Sequence, residues 1–469
     1  MAGGDRRGWH GRVGRPRSLI PDTVLDPIAE YHRLIEADPS AASEQASRLR
    51  EAFVREGVTF DGQPMPSFLR PHFVARADWD ALRSHGIRVL EIAARVARHV
   101  FEGDVGRLCD FLGTPAAEAR WVALDQAGPD VVLSRLDAFV TPEGPRFIEI
   151  NSDAPAGFGY SDRMARLFEQ LPLFRELARR VPVSYVPSDG GLVRAVVGAW
   201  RAAGRGERPR IAIIDWAEVM TRPDQELLRE AFAARGFDCL LADPREVEVI
   251  EDRLHAAGAP VDLVYRRAVL SELVEREDEV AGFLEAYRRG LCPFVNSFRC
   301  RLSEDKAFFA VLTDESFAHL MSDEERVFVS RVVPWTRRVA ERRTEKGGRA
   351  IDLVPFILED RERLVLKPAH AYGGRSVFLG SETSPDEWEG VVHAALGAPW
   401  VVQERVSIPE EPFPVLDPEG GDLAFVSLKV NANPFYVAGE DVGAVTRASR
   451  SSVINVSAGG GSVPTFVVG

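Results

Sequence analysis

The sequence predicts a mixed α/β protein built from several units, and three observations point to this class. Residues 209–298 alternate between strand-like and helix-like patterns, which is typical of a parallel sheet covered by helices. A strand–turn–strand pattern over 130–151 predicts an antiparallel hairpin. The length of 469 residues corresponds to about three domain-sized units. We therefore expect an α/β (α+β) fold that combines a parallel-sheet domain with antiparallel strands.

The N-terminal part is predicted to begin with a disordered basic segment and to continue as helices. Residues 1–18 contain five arginines and five glycines without helical periodicity, and they lack the apolar stretch of a secretory signal. Apolar residues recur at spacings of three and four over 25–121, which predicts helices. The hairpin strands follow, and a further helix is expected over 162–180. We expect 19–189 to form one unit.

The rest of the chain divides by pattern into three further units. Residues 190–298 form the expected parallel-sheet domain, with strands at RIAIIDW, FDCLLAD, VDLVYRR and PFVNSF. Residues 299–405 combine a helix at 303–313 with the strands RVFVSRVV, RLVLKP, SVFLG and WVVQERV, which predicts a separate α+β module. In the last unit, 406–469, the proline-rich run IPEEPFPVL predicts a connector, and the remainder is mostly strand.

The composition excludes several functional classes. Acidic residues outnumber basic ones by 71 to 58, and the net charge of −13 argues against broad nucleic-acid binding. No apolar run approaches the roughly 20 residues of a membrane span. Neither a Walker A sequence nor the G-x-G-x-x-G fingerprint occurs. The four cysteines show no C-x-x-C spacing, which predicts a reducing, cytoplasmic setting and gives no zinc signal.

The sharpest local feature is a set of polar residues on the two hairpin strands. With a three-residue turn at 142–144, one face would carry the cross-strand pairs Arg135–Asn151, Asp137–Glu149 and Phe139–Phe147. The other face would be the core face, with Leu136, Ala138, Val140, Ile148 and Ile150. Two directly opposed carboxylates repel each other, so either Arg135 or a divalent cation is expected to compensate them. Carboxylate and amide oxygens suit Mg²⁺, and a solvated salt-bridge face is the alternative.

Lysine is rare in this chain, which makes each lysine informative. Four of the 58 basic residues are lysines, and the others are arginines. Lys367 ends an apolar strand and is followed by a turn that contains Gly373 and Gly374. A strand, a lysine and a glycine turn in this order can fold over phosphates, although a lysine that ends a strand is usually just exposed.

A second lysine is predicted near the start of a helix. Lys306 follows Ser303, the expected N-cap of the helix over 303–313. A lysine there opposes the helix dipole, which suggests an anionic partner. The neighbouring Glu304 and Asp305 are the alternative partners.

Four further polar residues lie in the C-terminal third of the chain. Gln403 and Glu404 end the strand WVVQERV, and such a segment can line an adenine pocket or be a plain strand end. Arg447 lies in the segment DVGAVTRASR. Lys346, in a charged run, is predicted to be solvated.

Taken in order along the chain, these motifs resemble the ATP-grasp superfamily, in particular its circularly permuted branch. In ordinary members the lysines and the glycine loop precede the acidic metal ligands, whereas here the hairpin precedes Lys306 and Lys367. That branch includes eukaryotic-type glutathione synthetase and the synthetase domain of glutathionylspermidine synthase. The resemblance covers roughly 130–469 and rests on EINSDAPAG, NSFRCRLSEDKAFFAVL, LVLKPAHAYGGRSV, VVQERV and VTRAS.

The resemblance implies a circularly permuted ATP-grasp fold with an inserted parallel-sheet substrate-side domain and an α+β lid. The resemblance implies that Asp137, Glu149 and Asn151 bind Mg²⁺, and that Lys306 and Lys367 contact the ATP phosphates under a lid loop with Gly373 and Gly374. It implies adenine and ribose contacts for Gln403 and Glu404. It also implies that Arg135 and Arg447 bind the substrate carboxylate and the charge that develops during phosphoryl transfer. The implied activity is a carboxylate–amine ligase that uses ATP and Mg²⁺ and forms an amide through an acylphosphate.

Two other functions stay open at this level. A small-molecule kinase would use the same fold without an amine. An ATP-binding regulatory or scaffold protein is also compatible, because relatives often carry a glutamate where this chain has Ala371 and Tyr372. The expected partners are a small-molecule carboxylate and an amine, such as an amino acid, a peptide, a polyamine or a carrier-bound acyl group, with neither a nucleic acid nor a membrane. The oligomeric state is not predicted.

Overall fold

The computed structural model describes residues 25–65, 68–126, 128–370, 376–416, 423–456 and 460–469, and it is of mixed α/β class. The helices are α1 (Pro27–Ala37), α2 (Pro39–Arg55), α3 (Arg76–His99), α4 (Val105–Leu112), α5 (Ala116–Val122), α6 (Phe158–Gln170), α7 (Pro172–Ala178), α8 (Asp189–Ala202), α9 (Arg222–Ala234), α10 (Leu270–Glu275), α11 (Ala281–Arg288), α12 (Arg301–Glu304), α13 (Phe308–Thr313), α14 (Asp323–Val332), α15 (Leu353–Glu359) and α16 (Pro385–Ala395). The strands are β1 (Thr59–Phe60), β2 (Gln63–Pro64), β3 (His72–Ala75), β4 (Leu133–Thr141), β5 (Gly144–Asn151), β6 (Val183–Ser184), β7 (Ile211–Ile214), β8 (Cys239–Ala242), β9 (Val247–Ile250), β10 (Arg253–Ala256), β11 (Ala259–Pro260), β12 (Leu263–Arg266), β13 (Phe294–Val295), β14 (Thr336–Arg338), β15 (Arg343–Lys346), β16 (Arg349–Asp352), β17 (Leu364–Pro368), β18 (Phe378–Leu379), β19 (Trp400–Glu404), β20 (Glu410–Leu416), β21 (Leu423–Val437), β22 (Ala444–Ser449) and β23 (Gly461–Val468).

An eight-stranded sheet joins the hairpin to the C-terminal strands. Its strand order is β3-β23-β22-β21-β4-β5, with β20 paired to β21 and β6 paired to β23. All of these pairings are antiparallel except that of β3 with β23. In the ladder between β21 and β4, Ala432 lies opposite Ala138. The pairing therefore brings the polar residues of the hairpin next to those of β21 and β22, although they are far apart in sequence.

The parallel sheet expected over 209–298 is confirmed. Its order is β13-β12-β7-β8, and every pairing is parallel. The sequence analysis missed a small antiparallel sheet, β9-β10-β11, which lies between β8 and β12 in the chain. The carboxyl ends of parallel strands are common ligand-binding positions, and Asp215, Arg267 and Asn296 follow three of them.

A third sheet carries its own hydrophobic core. The strand order β14-β19-β17-β18 is antiparallel, and α15 and α16 pack together beside it. Trp388 is buried in this core with Leu366 and Val402, and its indole nitrogen donates to the carbonyl oxygen of Ile357 at 3.0 Å. This arrangement places Lys367, at the end of β17, on the side of the sheet that reaches the hairpin.

The predictions of a strand at RVFVSRVV and of a proline-rich connector were wrong, and the helix expected over 162–180 is divided into α6 and α7. The run RVFVSRVV forms the end of α14 rather than a strand, because Ser322 and Glu325 build a reciprocal capping box that starts a helix. The proline-rich run predicted as a connector forms β20, which among the described residues pairs only with β21. Prolines at 412 and 414 are tolerated there because a strand at the margin of a sheet need not donate on both sides.

Two features bear on the setting of the protein. Within the described ranges, we find no helix that is both long and apolar enough to cross a lipid bilayer. All four cysteines fall within those ranges, and none of them forms a disulfide. The basic segment 1–18 lies outside the described residues.

Candidate active site

One cavity of about 530 Å³ lies where the eight-stranded sheet meets strands β17–β19, and its other wall comes from α6 and the turn before α9. Its volume falls within the roughly 300–1,000 Å³ of small-molecule sites. The lining includes nine residues proposed from the sequence, namely Arg135, Asp137, Glu149, Asn151, Lys306, Lys367, Gln403, Glu404 and Arg447. The other two, Gly373 and Gly374, lie outside the described residues.

The predicted hairpin register is confirmed at its open end and wrong near its turn. Arg135 pairs with Asn151, and Asp137 pairs with Glu149, as expected. Beyond that point the pairs are Ala138–Phe147, Phe139–Arg146 and Thr141–Gly144, so the turn has two residues rather than three. A bulge at Ile148 accounts for the shift, because Glu149 and Phe147 face consecutive residues of β4.

The bulge also exchanges the faces of two side chains. Phe147, expected on the polar face, is buried in the core, and Ile148, expected in the core, lines the cavity. The carbonyl oxygen of Ile148 accepts a hydrogen bond from Lys367 Nζ at 3.3 Å. The bulge therefore supplies a contact between the hairpin and the third sheet.

The carboxylate of Asp137 is held by two guanidinium groups and an amide. Arg135 Nε donates to Oδ1 at 3.2 Å, Asn151 Nδ2 donates to the same oxygen at 3.2 Å, and Arg447 Nη2 donates to Oδ2. Burial alone would raise the pKa of Asp137, but the two arginines lower it below its ordinary value. Asp137 is therefore a carboxylate anion at neutral pH.

Glu149 and Lys306 form an ion pair across the cavity. Their charged atoms are 2.8 Å apart. Burial lowers the pKa of Lys306, but Glu149, together with Asp305 and Glu304, outweighs that effect and holds the pKa above its ordinary value. The predicted helix over 303–313 was wrong, because α12 ends at Glu304 and α13 begins at Phe308. Lys306 lies between the two helices, and Ser303 lies inside α12 rather than at an N-cap.

Lys367 is a buried cation of the site whose pKa is lowered. Its side chain is buried at the end of β17, and burial lowers its pKa to about 8. Glu149 raises that pKa, and the neighbouring ammonium of Lys306 lowers it further. A buried ammonium with this pKa gains from any anion that enters the cavity.

Sequence reasoning missed the partners of Arg447. Its Nη2 atom donates to Asn431 Oδ1 and Asn433 Oδ1, each at 2.8 Å, in addition to Asp137. Asn431 lies directly opposite Arg447 in the ladder of β21 and β22. The alternation of asparagine with apolar residues in KVNANPF was the available signal, since alternate residues of a strand share a face.

The residues proposed to contact adenine and ribose, Gln403 and Glu404, interact with side chains on β14, β15 and β5. Gln403 Nε2 donates to Thr336 Oγ1 at 2.9 Å. Glu404 Oε1 lies 2.8 Å from Lys346 Nζ, and Arg146 lies 3.8 Å from its other carboxylate oxygen. Lys346, which was predicted to be solvated, is partly exposed and also pairs with this cavity carboxylate.

A buried network anchors the loop after the hairpin, and the sequence analysis did not identify it. Glu304 Oε2 accepts hydrogen bonds from the backbone N–H groups of Ser152 and Asp153 at 2.6 and 2.5 Å. The Asp153 carboxylate pairs with Arg266 at 2.5 Å, and neither side chain reaches solvent appreciably. Asn296 Nδ2 donates to the carbonyl oxygens of Leu133 and Ser152 at 2.7 Å each. The parallel sheet thus fixes both strands of the hairpin.

The hairpin residues match the donor set of a hard cation. Asp137 and Glu149 are opposed, both line the cavity, and Asn151 adds an amide beside them. Among the described residues no cluster of three or more His, Cys, Asp or Glu side chains is arranged to hold a metal. Two carboxylates suffice for Mg²⁺, which usually takes its other ligands from substrate phosphates and water.

Comparison with known proteins identifies a solved structure with a similar fold. No family model matches the chain. A solved structure of a glutathione synthetase-like effector from Globodera pallida superposes with a TM-score of 0.55 at 13% identity, covering 91% of this chain and 94% of that one. The chain therefore has a glutathione synthetase-like fold of mixed α/β class.

Sequence relatives extend over most of the chain. A putative glutamate–cysteine ligase 2-2 of Frankia casuarinae is 26% identical over 447 residues, which cover 86% of this chain and 47% of the relative. An uncharacterized protein of Mycobacterium tuberculosis is 24% identical over 478 residues, with 93% of this chain and 80% of the relative covered. This chain thus spans about half the length of the ligase-named Frankia relative.

Proposed function

We propose that this protein is an ATP-dependent carboxylate–amine ligase with a circularly permuted ATP-grasp fold. The observation that carries the proposal is the charge at one end of the cavity, where four basic side chains, Arg135, Lys306, Lys367 and Arg447, surround two opposed carboxylates, Asp137 and Glu149. Four positive against two negative charges leave an excess of two. Such an excess suits a polyphosphate that arrives with a divalent cation.

The chain order and the relatives support this proposal. The hairpin precedes the lysine-bearing segments, as in the permuted branch, and the fold is glutathione synthetase-like. The ligase name of the Frankia relative favours amide formation. We propose residues 190–298 as the substrate-side domain, 299–405 as the lid and nucleotide-binding region, and 406–469, with 19–189, as the catalytic core. The unpaired cysteines support a cytoplasmic location.

The proposed roles are those that the family resemblance implies, and the positions of the described side chains around the cavity support them. Asp137, Glu149 and Asn151 would hold Mg²⁺, which when bound neutralises phosphate charge. Lys306 and Lys367 would contact the phosphates, and the family resemblance assigns Gly373 and Gly374 to a lid loop over them. Gln403 and Glu404 would lie at the adenine and the ribose, because they line the cavity on the strand next to that of Lys367.

The chemistry requires activation of the acid. A carboxylate resists attack by an amine because its oxygen is a poor leaving group. A carboxylate oxygen, held by Arg135 and Arg447, attacks the γ-phosphorus of ATP, and ADP leaves. The amine nitrogen then attacks the acyl carbon, phosphate leaves, and the nitrogen releases a proton to solvent. The cationic side chains stabilise the charge on the moving phosphoryl group, and the lid keeps water from the acylphosphate.

A phosphate-release screen of acids crossed with amines tests the proposal. We expect ADP and phosphate to form only when Mg-ATP, an acid and an amine are all present. ADP formation with a single acceptor and no amine would instead establish a small-molecule kinase. Tight binding of Mg-ATP without turnover across the whole panel would establish the regulatory or scaffold alternative.

A further inference from the structure

The cavity has two ends of opposite character. We call the part around Asp137, Glu149 and Lys367 the hairpin end. The other part, which we call the apolar end, is lined by Phe60, Met65, Tyr160, Met164, Met220 and Val269. These residues come from four segments of the chain, so the apolar surface is assembled by the tertiary fold rather than by one element.

The apolar end concentrates a rare residue type. The chain contains five methionines, and Met65, Met164 and Met220 all line this cavity. Methionine is unbranched and polarizable, so it adapts to apolar groups of different shapes. Met65 and Met164 are buried in the core, whereas Met220 is about half exposed. Met220 is therefore the methionine that a flexible or aromatic hydrocarbon would contact.

The polar groups near this end are already satisfied by the protein. The start of α6 presents the backbone N–H groups of Gly157, Gly159 and Tyr160, and the Asp224 carboxylate accepts from all three at 2.9–3.0 Å. A helix N-terminus is a ready site for an anion, but here an internal carboxylate fills it. The Tyr160 hydroxyl donates to the Thr59 carbonyl at 2.6 Å.

Few charges remain there for a polar ligand. Among the lining residues of the segments that form the apolar end, Glu272 is the one ionisable acid or base, and it is exposed. A second carboxylate on a ligand tail would meet no basic side chain among them. Burying such a charge without a partner is costly, so the apolar end selects against it.

The two ends are joined at the start of α6. Arg135 Nη1 donates to the Ala156 carbonyl at 3.2 Å, and Ala156 directly precedes the first turn of that helix. A molecule whose carboxylate lies at Arg135 and Arg447 would therefore have its tail beside the start of α6, where Tyr160 and Met164 line the same cavity. One helical turn separates these two residues, or about 6 Å, which is the length of a chain of roughly five methylene groups.

We propose that the carboxylate substrate carries an apolar aliphatic or aryl tail, and that Met220 and Phe60 bind it. This inference rests on the proposed ligase function for the position of the carboxylate. The tail, rather than the amine, determines specificity at the apolar end. A polar amino-acid-like tail does not match the side chains present there.

Three six-carbon probes test the proposal on the full chain with Mg-ADP bound. Hexanoate has an apolar tail, adipate ends in a second carboxylate, and 6-aminohexanoate ends in an ammonium. We expect calorimetry to give hexanoate a Kd at least about tenfold lower than adipate, whose second carboxylate meets no basic side chain there. We expect 6-aminohexanoate to bind no more tightly than hexanoate, because Glu272 is exposed and an exposed ion pair contributes little. Equal affinities of hexanoate and adipate, or tighter binding of a polar probe, would overturn the inference.

A matched pair of variants tests whether the hexanoate tail binds beside Met220. Met220→Glu should weaken hexanoate by about tenfold or more, since it puts a carboxylate beside the apolar chain. Ile250→Glu makes the same kind of change at a similarly exposed apolar residue outside the cavity, and should leave the hexanoate Kd unchanged. An unchanged Kd in Met220→Glu would refute the placement.

The same experiment separates this inference from the ligase proposal. If polar acids are turned over with ADP release while hexanoate is rejected, the ligase stands and the apolar tail is wrong. If Mg-ADP does not bind but hexanoate still binds preferentially and responds to Met220→Glu, the apolar site stands and the ligase falls.

Discussion

The two ends of the cavity differ in how their side chains depend on one another. At the hairpin end, Asp137 is held by Arg447 and Glu149 by Lys306, and each partner comes from a distant segment. At the apolar end, the side chains pack without ion pairs among them. The Asp224 carboxylate accepts hydrogen bonds from the backbone N–H groups at the start of α6, which could otherwise bind an anion. Substitutions at the hairpin end therefore change the charge state of their neighbours, whereas those at the apolar end act individually.

The largest effect is expected from removing the buried ammonium of Lys367. Lys367→Met should reduce ADP formation by about 10²–10³-fold or more, because a preorganised cation no longer stabilises the phosphoryl charge. The variant should be no less stable than the parent, since burial makes the charged lysine unfavourable in the folded state. Phosphate release and thermal melting measure the two effects.

Lys429→Met is the matched control for that experiment. Lys429 is another of the four lysines and is partly buried, but its Nζ atom donates to Ser452 Oγ at 2.6 Å and the residue does not line the cavity. Its loss should leave ADP formation within about threefold. Full activity of a folded Lys367→Met protein would end the ATP-site assignment.

The next effect is on stability and concerns the loop that links the hairpin to the parallel sheet. Asp153→Ala leaves the Arg266 guanidinium buried without its carboxylate, which should lower the free energy of unfolding by about 3–5 kcal/mol. Denaturant unfolding measures the loss. Asp238→Ala breaks an exposed pair with Arg210 and should cost less than about 1 kcal/mol. Equal losses in the two variants would show that Asp153 does not anchor the loop.

The limits of sequence reasoning follow the same division between local and distant contacts. The pairing of Asp137 with Glu149 could be predicted, because strand alternation and a nearby turn specify it. The bulge at Ile148 could not, because the Lys367 ammonium that uses its carbonyl comes from another sheet. The partner of Lys346 was likewise unpredictable, since a charged run looks the same whether it faces water or a cavity carboxylate.

The pH dependence of nucleotide binding sharpens the comparison further. Lys367 has a pKa of about 8 in the free protein, and bound phosphate would raise it. Affinity for Mg-ADP should therefore be full below pH 8 and fall by up to about tenfold per unit as pH rises above it. Calorimetry between pH 6.5 and 9.5 in buffers of different ionisation enthalpy should also detect proton uptake on binding.

Glu149→Gln provides the matched comparison for this profile. Glu149 raises the pKa of Lys367, so its neutral replacement should move the decline in affinity to lower pH. In Met220→Glu, whose change lies at the apolar end, the pH at which affinity falls should stay that of the parent. A pH-independent Kd in the parent would contradict the assignment of Lys367 to the phosphates.

The smallest effect is expected where a charge pair lies at the rim of the cavity. Lys346 pairs with Glu404 and lies 4.9 Å from the ring centre of Trp335, but both charged side chains are partly exposed. Lys346→Met should therefore change stability by less than about 1 kcal/mol and the Kd for Mg-ADP by no more than about threefold. A loss of tenfold or more would place Lys346 among the phosphate ligands. The site would then need three lysines, and the charge excess on which the ligase proposal rests would have to be recounted.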